Sequence, residues 1–428
     1  MVGKKSNDFN KLSSSQMLNL IIESAIDESA NFIHIESRDT DISIRFRING
    51  ALIEYNKFPK KRYDSLIQKL KKLSNLDAKQ RNITQEGKFK INTNNKMYSL
   101  SVTVIPTIYG EKLSINILDR SKDIMSLEEL GYWGGGLISI KKALESRKGL
   151  ILLTGQRDSG KSTSLASILN SISDPNLKIS TIEDPVEIII NKINQTQVNP
   201  KTNLTFTNGL KIIEKNDSDV IMVSDLRDKE TIKHVFQYSS HGKLIISSIF
   251  SNNSIEAINR LVISGINHHL ISHSLKILIN QKLVRKLCLN CSETFIPNKK
   301  NLDLIGTIFN LDKPNQMKFI HNLELVYINE HEKNESNTSE NKIKKLWQAH
   351  EGGCENCHNT GYSGRIGLFE IIRVTPSIEA LITSLASPKV ILNKAINEGT
   401  VTILVDGLIK ALQGETSINE IYRIYQDQ

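Results

Sequence analysis

Two hydrophobic patterns divide the chain, and the first mixes helical and strand-like periods. Apolar residues recur every three or four positions from residue 18 to 26, which predicts an amphipathic helix capped by Ser15. Residues 41–48 alternate strictly, which places Arg45 and Arg47 on one strand face. Further strand-like runs lie at 31–35, 51–55, 88–91, 98–105 and 112–118, with a helical stretch at 63–73. Residues 15–120 are therefore predicted to form an α+β domain, preceded by a disordered tail over 1–14.

The second pattern begins at Gly149 and consists of short, wholly apolar runs separated by helical stretches. These runs lie at residues 151–153, 178–182, 220–223 and 243–249. Such runs are typical of a mostly parallel sheet buried on both faces. After the first domain, a linker is predicted over 121–145, with a flexible glycine run at 134–136, and an α/β core over 146–286. A metal-binding region over 287–357, which contains a polar loop at 330–342, and a helical region over 358–428 are predicted to follow.

A glycine-rich loop stands between the first apolar run of the core and the next helical stretch. The segment Gly155-Gln-Arg-Asp-Ser159-Gly160-Lys161-Ser162 has the strand–loop–helix context of a phosphate-binding loop. Backbone N–H groups and the helix N-terminus would face phosphate oxygens. The residues predicted to bind the nucleotide are Gly155, Ser159, Gly160, Lys161, Ser162 and Thr163, with Ser162 also a magnesium ligand. The alternative is a chance match in a surface turn.

Two later apolar runs end in carboxylates. Glu183 and Asp184 end the run that begins at residue 178, and Asp225 follows the run 220–223. Strand ends of a parallel sheet face the phosphate loop, so Glu183 is placed to activate water and Asp225 to hold magnesium. For the segment around Glu183 alone, a capped turn before a proline is the structural alternative.

All four cysteines of the chain fall into two CxxC pairs. Cys288 and Cys291 form one pair, Cys354 and Cys357 the other, and 62 residues lie between the pairs. Four thiolates in this arrangement predict one closed structural zinc site. A redox pair or chance spacing is the alternative, and disulfides do not suit the cytosolic location expected below.

Composition narrows the class of protein without naming a function. Hydrophobic residues make up 39% and charged residues 24% of the 428 positions, as in ordinary globular proteins. No apolar stretch approaches the roughly 18 residues of a membrane span, and the start lacks the apolar core of a secretory signal. We expect a cytoplasmic protein. The net charge of +9 suits an anionic lipid surface or nucleic acid, but solvated faces explain most of it.

Together these motifs resemble the ATPases of type II secretion and type IV pilus assembly, specifically the extension-type motors, from about residue 15 to the C-terminus. The matching phrases are Ile33-His-Ile-Glu36, Arg45-Phe-Arg-Ile-Asn-Gly50, Tyr109-Gly-Glu-Lys112, Glu183-Asp-Pro-Val-Glu187, Arg227-Asp228 with Glu230-Thr231, the Gln281–Cys291 segment and the Cys354–Glu370 segment. Retraction motors of this superfamily lack the four-cysteine module, so its presence favours extension or secretion.

The resemblance implies a RecA-like P-loop NTPase core, a smaller PAS-like N-terminal domain and a zinc-containing, helical C-terminal region. It further implies ATP, Mg²⁺ and Zn²⁺ as ligands and a homohexamer that associates peripherally with an inner-membrane platform protein. No nucleic acid is expected as a partner. The resemblance also implies roles for single residues. Glu183 matches the family's general base, and Asp225 matches the acid that holds magnesium indirectly. Arg45, Arg47 and Lys88 occupy the positions of the basic residues that reach the phosphates.

Several positions depart from the family's pattern. The usual Gly-Glu is Ser224-Asp225, and Arg157-Asp158 replaces Thr-Gly in the loop. The two family histidines are placed at Lys243 and Phe250, with His241 two residues earlier on the same predicted strand face. The family's large N-terminal docking domain is expected to be missing. Three hypotheses follow. The first is an assembly motor with slow hydrolysis, and the second, which the departures suggest, is a catalytically weak paralogue acting as a regulatory or structural ring subunit. The third, which the net charge and the cysteines suggest, is a zinc-containing ATPase that binds nucleic acid.

Overall fold

The computed structural model describes residues 12–48, 50–93, 96–119, 124–311, 313, 315–333 and 335–426. Two compact units make up this part of the chain. The first contains the residues up to Asp119 together with Cys354–Thr360, and the second contains Ile124–Gly353 and the residues from Gly361 onward. Of the predicted disordered tail over 1–14, residues 1–11 lie outside the described residues, whereas Ser13 and Ser14 are the N-cap and the first residue of the first helix. The start of the linker over 121–145 and one position of the polar loop 330–342 also lie outside the described residues.

The first unit is a six-stranded antiparallel sheet with two long helices. Its elements are α1 (Ser14–Asp27), β1 (Phe32–Ser37), β2 (Asp41–Ile48), β3 (Ala51–Pro59), a 3₁₀ turn (Lys60–Arg62), α2 (Tyr63–Leu73), β4 (Gln85–Thr93), β5 (Lys96–Thr107) and β6 (Gly110–Asp119). The strand order is β3-β2-β1-β6-β5-β4. Ile33, Ile44 and Leu66 are fully buried in its core. The prediction of an α+β fold is confirmed, because this unit contains both helices and an antiparallel sheet.

The first helix begins two residues earlier than the sequence pattern predicted. Ser13, and not Ser15, is the N-cap: its hydroxyl accepts from the Gln16 N–H at 3.3 Å, and Gln16 Oε1 accepts from the Ser13 N–H at 2.9 Å. This reciprocal pair is a capping box. Three serines in succession offered equivalent caps, and only the glutamine three residues after Ser13 distinguishes them.

The second unit contains a seven-stranded sheet with helices on both faces. Its first elements are α3 (Gly134–Glu145), β7 (Gly149–Gly155), α4 (Lys161–Ser171), β8 (Ile179–Glu183), β9 (Asn194–Gln197), α5 (Phe206–Lys215), β10 (Val220–Val223), α6 (Lys229–Ser240), β11 (Leu244–Phe250), α7 (Ser254–Ile263), α8 (His268–Ser274) and β12 (Leu275–Leu287), with a 3₁₀ turn at Pro200–Thr202.

The rest of this unit adds small strands, helices and the last strand of the large sheet. These elements are β13 (Glu293–Phe295), α9 (Lys299–Phe309), α10 (Gln316–Glu330), β14 (Thr338–Ser339), β15 (Lys342–Ile343), β16 (Leu346–Gln348), β17 (Tyr362–Arg373), α11 (Pro376–Thr383), α12 (Pro388–Asn397), α13 (Ile403–Leu412) and α14 (Ile418–Gln426). A 3₁₀ turn (Glu355–Cys357) between β16 and β17 in the chain belongs to the first unit. The predicted helical region 358–428 therefore starts with a long strand. Its alternating apolar residues pair with β12, which has no other antiparallel neighbour in the large sheet.

The large sheet is parallel except for β17. The strand order is β17-β12-β7-β11-β10-β8-β9, and all neighbouring strands from β12 to β9 run in the same direction. The predicted mostly parallel sheet, buried on both faces, is confirmed. Because the strands are parallel, the ends of β7, β8, β10 and β11 lie along one edge.

The glycine run at 134–136 is the start of a helix rather than a flexible point. Leu137, Ile140 and Leu144 of α3 are buried against the large sheet, and Trp133 directly before it donates its indole N–H to buried Asp406. The flexibility prediction was wrong because tertiary packing offsets the low helix propensity of glycine. Within the described residues, none of the helices has the length and apolarity that crossing a bilayer requires.

Candidate functional site

The loop between β7 and α4 can adopt its course only with glycine at two positions. Gly160 precedes α4 with φ of 86°, and a Cβ there would lie 2.8 Å from Nε2 of Gln281. A Cβ on Gly155 would lie 2.5 Å from the Gln281 carbonyl oxygen. Both glycines thus permit a close approach of the loop to β12. Asp158 also has positive φ, at 59°. Loops with such left-handed residues form concave sites lined by backbone N–H groups, which bind anions.

Lys161 lies across this loop. Its ammonium donates to the carbonyl oxygens of Gly155 at 2.8 Å and Gln156 at 2.7 Å. Burial lowers the pKa of Lys161, and the nearby carboxylates of Asp225 and Asp158 oppose that shift. The Ser159 hydroxyl is buried and has no hydrogen-bond partner among the residues that the structure describes. A buried orphaned hydroxyl beside an ammonium fits a phosphate-bearing ligand.

A cavity of about 380 Å³ opens above the loop, in the size range of a small-molecule site. It brings together most of the residues predicted from sequence. Those are Ser159, Gly160, Lys161, Ser162 and Thr163 of the loop and helix, with Glu183 and Asp225 of the strand ends. Gly155, the last residue of β7, lies two residues before Arg157, where the lining segment of the loop begins.

Glu183 is the last residue of β8 and is held on two sides. Its Oε1 atom accepts from the Thr181 hydroxyl at 2.6 Å and from the Gln195 amide at 2.9 Å, and the residue is 7% exposed. A carboxylate with its rotamer held in this way has a defined position at the cavity. The alternative of a simple capped turn does not describe Glu183, which ends a strand and lines the cavity.

Arg227 connects the two acidic strand ends, a connection that its place in the sequence did not predict. Its guanidinium lies 2.9 Å from a carboxylate oxygen of Asp184 and 2.9 Å from one of Asp225. These contacts raise the pKa of Arg227, chiefly through the hydrogen bond to Asp225. The contact with Asp225 could have been predicted from the sequence, because Arg227 follows Asp225 by two residues. Only the adjacency of β8 and β10 shows that it also contacts Asp184.

Two further lining residues were missed. Ser248 of β11 donates its hydroxyl to the Ser224 carbonyl at 2.6 Å, which connects the ends of β10 and β11. Arg365 of β17 also lines the cavity. Neither position follows from spacing, because β11 and β17 reach the loop only through strand order.

Of the two positions matched to the family histidines, Lys243 lies away from the loop, and His241 is not on β11 as the sequence pattern predicted. β11 pairs with β7 in parallel, so Leu244 lies opposite Gly149 and Phe250 opposite Gly155. Lys243 and His241 precede Leu244 and therefore lie at the edge of the sheet away from the loop. His241 ends α6 and lies 3.6 Å from Glu214, while Lys243 lies 3.3 Å from Asp217. Only Phe250 is at the loop end.

Arg45 and Arg47 belong to the first unit. Both lie on β2, where Arg45 forms an ion pair with Glu36 and Arg47 donates to the Gly50 carbonyl at 2.9 Å. Glu36 also accepts from Lys112 at 2.9 Å. Their predicted contact with phosphates stays a prediction.

The four cysteines form a compact cluster. The Sγ atoms of Cys288, Cys291, Cys354 and Cys357 all lie within 4.8 Å of one another. Cys354 and Cys357 have sulfurs 3.7 Å apart. A tetrahedral zinc ion with Zn–S bonds of about 2.3 Å separates its sulfurs by roughly 3.8 Å. The cluster therefore fits a closed zinc site in spacing and donor type.

The donor set of the cavity fits a magnesium nucleotide. The hydroxyl of Ser162 and the carboxylate of Asp225 are oxygen donors of the kind magnesium prefers. Lys161 and the backbone of the loop supply positive potential for phosphates.

Comparisons with known proteins match nearly the whole chain. The family model described as type II/IV secretion system protein matches residues 8–423. The type IV pilus assembly ATPase PilB of Thermus thermophilus is 33% identical over 94% of this chain, which spans 42% of that protein. The type II secretion system ATPase E of Vibrio cholerae is 32% identical over 96% of this chain, which spans 75% of that protein.

Solved structures share the fold. The ATPase DotB of Legionella pneumophila superposes with a TM-score of 0.65 at 17% identity, covering 96% of both chains. The pilus retraction motor PilT, solved with bound ADP, superposes with a TM-score of 0.53 at 19% identity, covering 91% of this chain and 95% of that one.

Proposed function

The chain belongs to the type II/IV secretion system protein family, and from that premise we propose that it is an ATPase that powers assembly of pilins or pseudopilins. Relatives that cover most of this chain are named as a type IV pilus assembly ATPase and a type II secretion system ATPase. The proposed ATPase could serve either a type IV pilus or a type II secretion system. The protein would act as a homohexamer on the cytoplasmic side of an inner-membrane platform protein, associated peripherally with the membrane.

The observation that carries the proposal is the cavity of the second unit. It places the glycine-rich loop, Lys161 and the two acidic strand ends around one space. Loop glycines at which a side chain would be strained and a lysine held across them are features of a site built for phosphates.

Each residue has a proposed role in hydrolysis. The backbone of residues 155–160 and the amine of Lys161 would hold the β- and γ-phosphates of ATP. Glu183, held by Thr181 and Gln195, would orient the attacking water and accept its proton. Ser162 and Asp225 would hold magnesium, which when bound neutralises charge on the phosphates. Arg45 and Arg47 would add positive charge from the first unit, and the cysteine cluster would hold a structural zinc ion.

Hydrolysis is proposed to be slow. Phe250 stands at the loop end of β11, where the family has a histidine, and neither His241 nor Lys243 is there to replace it. Asp225 is one methylene shorter than glutamate, and Arg227 already contacts it. Losing one preorganised charge stabiliser costs about a hundred- to a thousandfold in rate.

The same observations favour a second candidate, a catalytically weak nucleotide-binding paralogue that acts as a regulatory or structural ring subunit. It differs from the first candidate in its role in the ring and in the rate of hydrolysis. A nucleic-acid-binding ATPase has no specific observation in its favour.

The test is steady-state ATP hydrolysis and nucleotide binding by the purified chain. We expect binding of ATP with magnesium, slow hydrolysis, and loss of both in Lys161→Ala. Lys211→Ala, which removes an exposed lysine paired with Glu230 on the helical surface, is the control and should change neither. Binding without any hydrolysis, even with the membrane platform present, would select the second candidate. Absence of nucleotide binding would reject both.

A further inference from the structure

The charge around the cavity is not the excess of positive charge that a polyphosphate site is expected to have. Its lining carries five carboxylates, at Asp158, Glu183, Asp184, Glu187 and Asp225, against four cations, at Arg157, Lys161, Arg227 and Arg365. The acids thus outnumber the bases in the space where phosphates would bind. Free nucleotide would meet repulsion there, because like charges at short range cost free energy in a partly buried site.

Among these carboxylates Asp158 is the one inside the glycine-rich loop itself. Asp184 and Asp225 share the guanidinium of Arg227, at 2.9 Å from each. Glu183 is held by Thr181 and Gln195 at the end of β8. Asp158 instead stands exposed on the loop that would surround the phosphates, and its charge acts on Lys161.

The backbone at Asp158 has a conformation that some residue types adopt more readily than others. Its φ of 59° is in the left-handed region. Glycine adopts this conformation freely, and asparagine and aspartate adopt it more readily than other residues. Aspartate therefore keeps the loop geometry while adding a negative charge that glycine or asparagine would not bring.

We propose that Asp158 is a specificity-determining residue that makes the site select the magnesium complex of a nucleoside triphosphate over the free triphosphate. Magnesium offsets part of the phosphate charge, so the complex meets less repulsion from Asp158 than the free nucleotide does. Asp158 lowers affinity for both forms, but mostly for the free one. This inference rests on the proposed function, since it requires that the cavity bind nucleotide.

The experiment measures the affinity of the full chain for a non-hydrolysable ATP analogue by isothermal titration, with magnesium in excess and with magnesium removed. Magnesium is removed from buffers by a resin, without a soluble chelator, so that the cysteine cluster is left intact. Asp158→Asn removes the charge and keeps the left-handed preference. Asp158→Gly removes the charge and the side chain.

We expect both variants to bind the free analogue about tenfold more tightly and the magnesium complex at most about threefold more tightly. Asp217→Asn is the matched control, because Asp217 also has positive φ, 53°, and its side chain is 95% exposed at the opposite edge of the sheet. It should change neither affinity. Melting temperatures check that all variants are folded.

Three results would overturn the inference. One is an unchanged ratio of the two affinities in Asp158→Asn. Another is a change in Asp158→Gly alone, which would assign the effect to backbone conformation. If the unaltered protein bound no magnesium nucleotide at all, the proposed function would fail together with this inference, whereas the first two results leave the proposed function standing.

Discussion

Glu183 and Asp225 show how two carboxylates at neighbouring strand ends acquire different environments. Glu183 is almost fully buried and its Oε1 atom accepts two hydrogen bonds from neutral donors. Asp225 is more exposed and shares its charge with Arg227. The guanidinium partly neutralises Asp225, whereas the hydrogen bonds from Thr181 and Gln195 fix the position of the Glu183 carboxylate at the cavity. At the scale of the residue, this difference supports Glu183 as the proposed base.

Replacing that base gives the first prediction. Glu183→Gln keeps the size and the hydrogen-bonding geometry but cannot accept a proton, so we expect ATP to bind with unchanged affinity. Hydrolysis should fall about a hundredfold or more. Single-turnover hydrolysis and equilibrium binding measure the two effects separately. Glu230→Gln, on the exposed face of α6, serves as the control. Equal hydrolysis by the variant and the unaltered protein would assign the base elsewhere.

At the scale of the element, Glu398 connects two C-terminal helices. It follows α12, and its carboxylate accepts from the hydroxyls of Ser377 and Thr375 at the start of α11, with the Thr375 contact at 2.7 Å. Lys394 lies 3.1 Å away in the preceding turn. The hydrogen bonds from Ser377 and Thr375 are the main cause that lowers the pKa of Glu398, from 4.5 to about 2.

This contact predicts a pH-dependent loss of stability in Glu398→Ala. The pKa is lower in the folded state, so the ionised carboxylate stabilises the fold above about pH 4.5, and this contribution is lost as the pH falls towards 2. At pH 7 we expect the variant to be less stable by about 1 kcal/mol. Thermal unfolding followed by circular dichroism between pH 7 and 3 should show the difference shrinking.

Lys394→Ala is the matched comparison for Glu398→Ala. It removes only the exposed ion pair, so its effect should be smaller, in the range of about 0–1 kcal/mol. A difference between Glu398→Ala and the unaltered protein that stayed constant down to pH 3 would contradict the assigned hydrogen bonds.

At the scale of the whole molecule, the cysteine cluster joins segments that are distant along the chain. Cys288 follows β12 directly, whereas Cys354 precedes a 3₁₀ turn and Cys357 is its last residue, and 62 residues lie between the two pairs. When one ion binds ligands so far apart in sequence, the free energy of ion binding also stabilises the folded chain.

We therefore expect elemental analysis to find one zinc ion per chain. Cys288→Ser should lose the ion and lower the melting temperature, while Ser292→Ala, one residue beyond the Cys288–Cys291 pair, should do neither. A chain without bound metal and with unchanged melting temperature after Cys288→Ser would refute a structural zinc site. Nucleotide binding measured on the same variants tests whether the metal contributes only to stability.

The proposed hexamer gives a prediction for the assembled molecule. With magnesium and a non-hydrolysable ATP analogue we expect a species of six times the 48.2 kDa chain mass by light scattering. Lys161→Ala, which should not bind nucleotide, should shift the population towards smaller species, because ligands stabilise the forms that bind them. A mass of one chain under all conditions would contradict the ring.

The sequence by itself determined the features that depend on local spacing. The loop from Gly155 to Ser162, the acidic ends at Glu183 and Asp225, and the two CxxC pairs are all recognisable because a few neighbouring residues carry the chemistry. The alternating run likewise predicted the strand Asp41–Ile48, since the buried face of a strand repeats every second residue. The wholly apolar run predicted the strand Val220–Val223, since a strand of a parallel sheet is buried on both faces.

Tertiary structure alone decided which distant residues meet. The contact of Arg227 with Asp184, the place of Ser248 and Arg365 at the cavity, and the distance of Lys243 from the loop all follow from strand order and register. Packing also turned the glycine run at 134–136 into a helix start. These outcomes depend on pairings between segments far apart in the chain, whose free energy no local pattern contains.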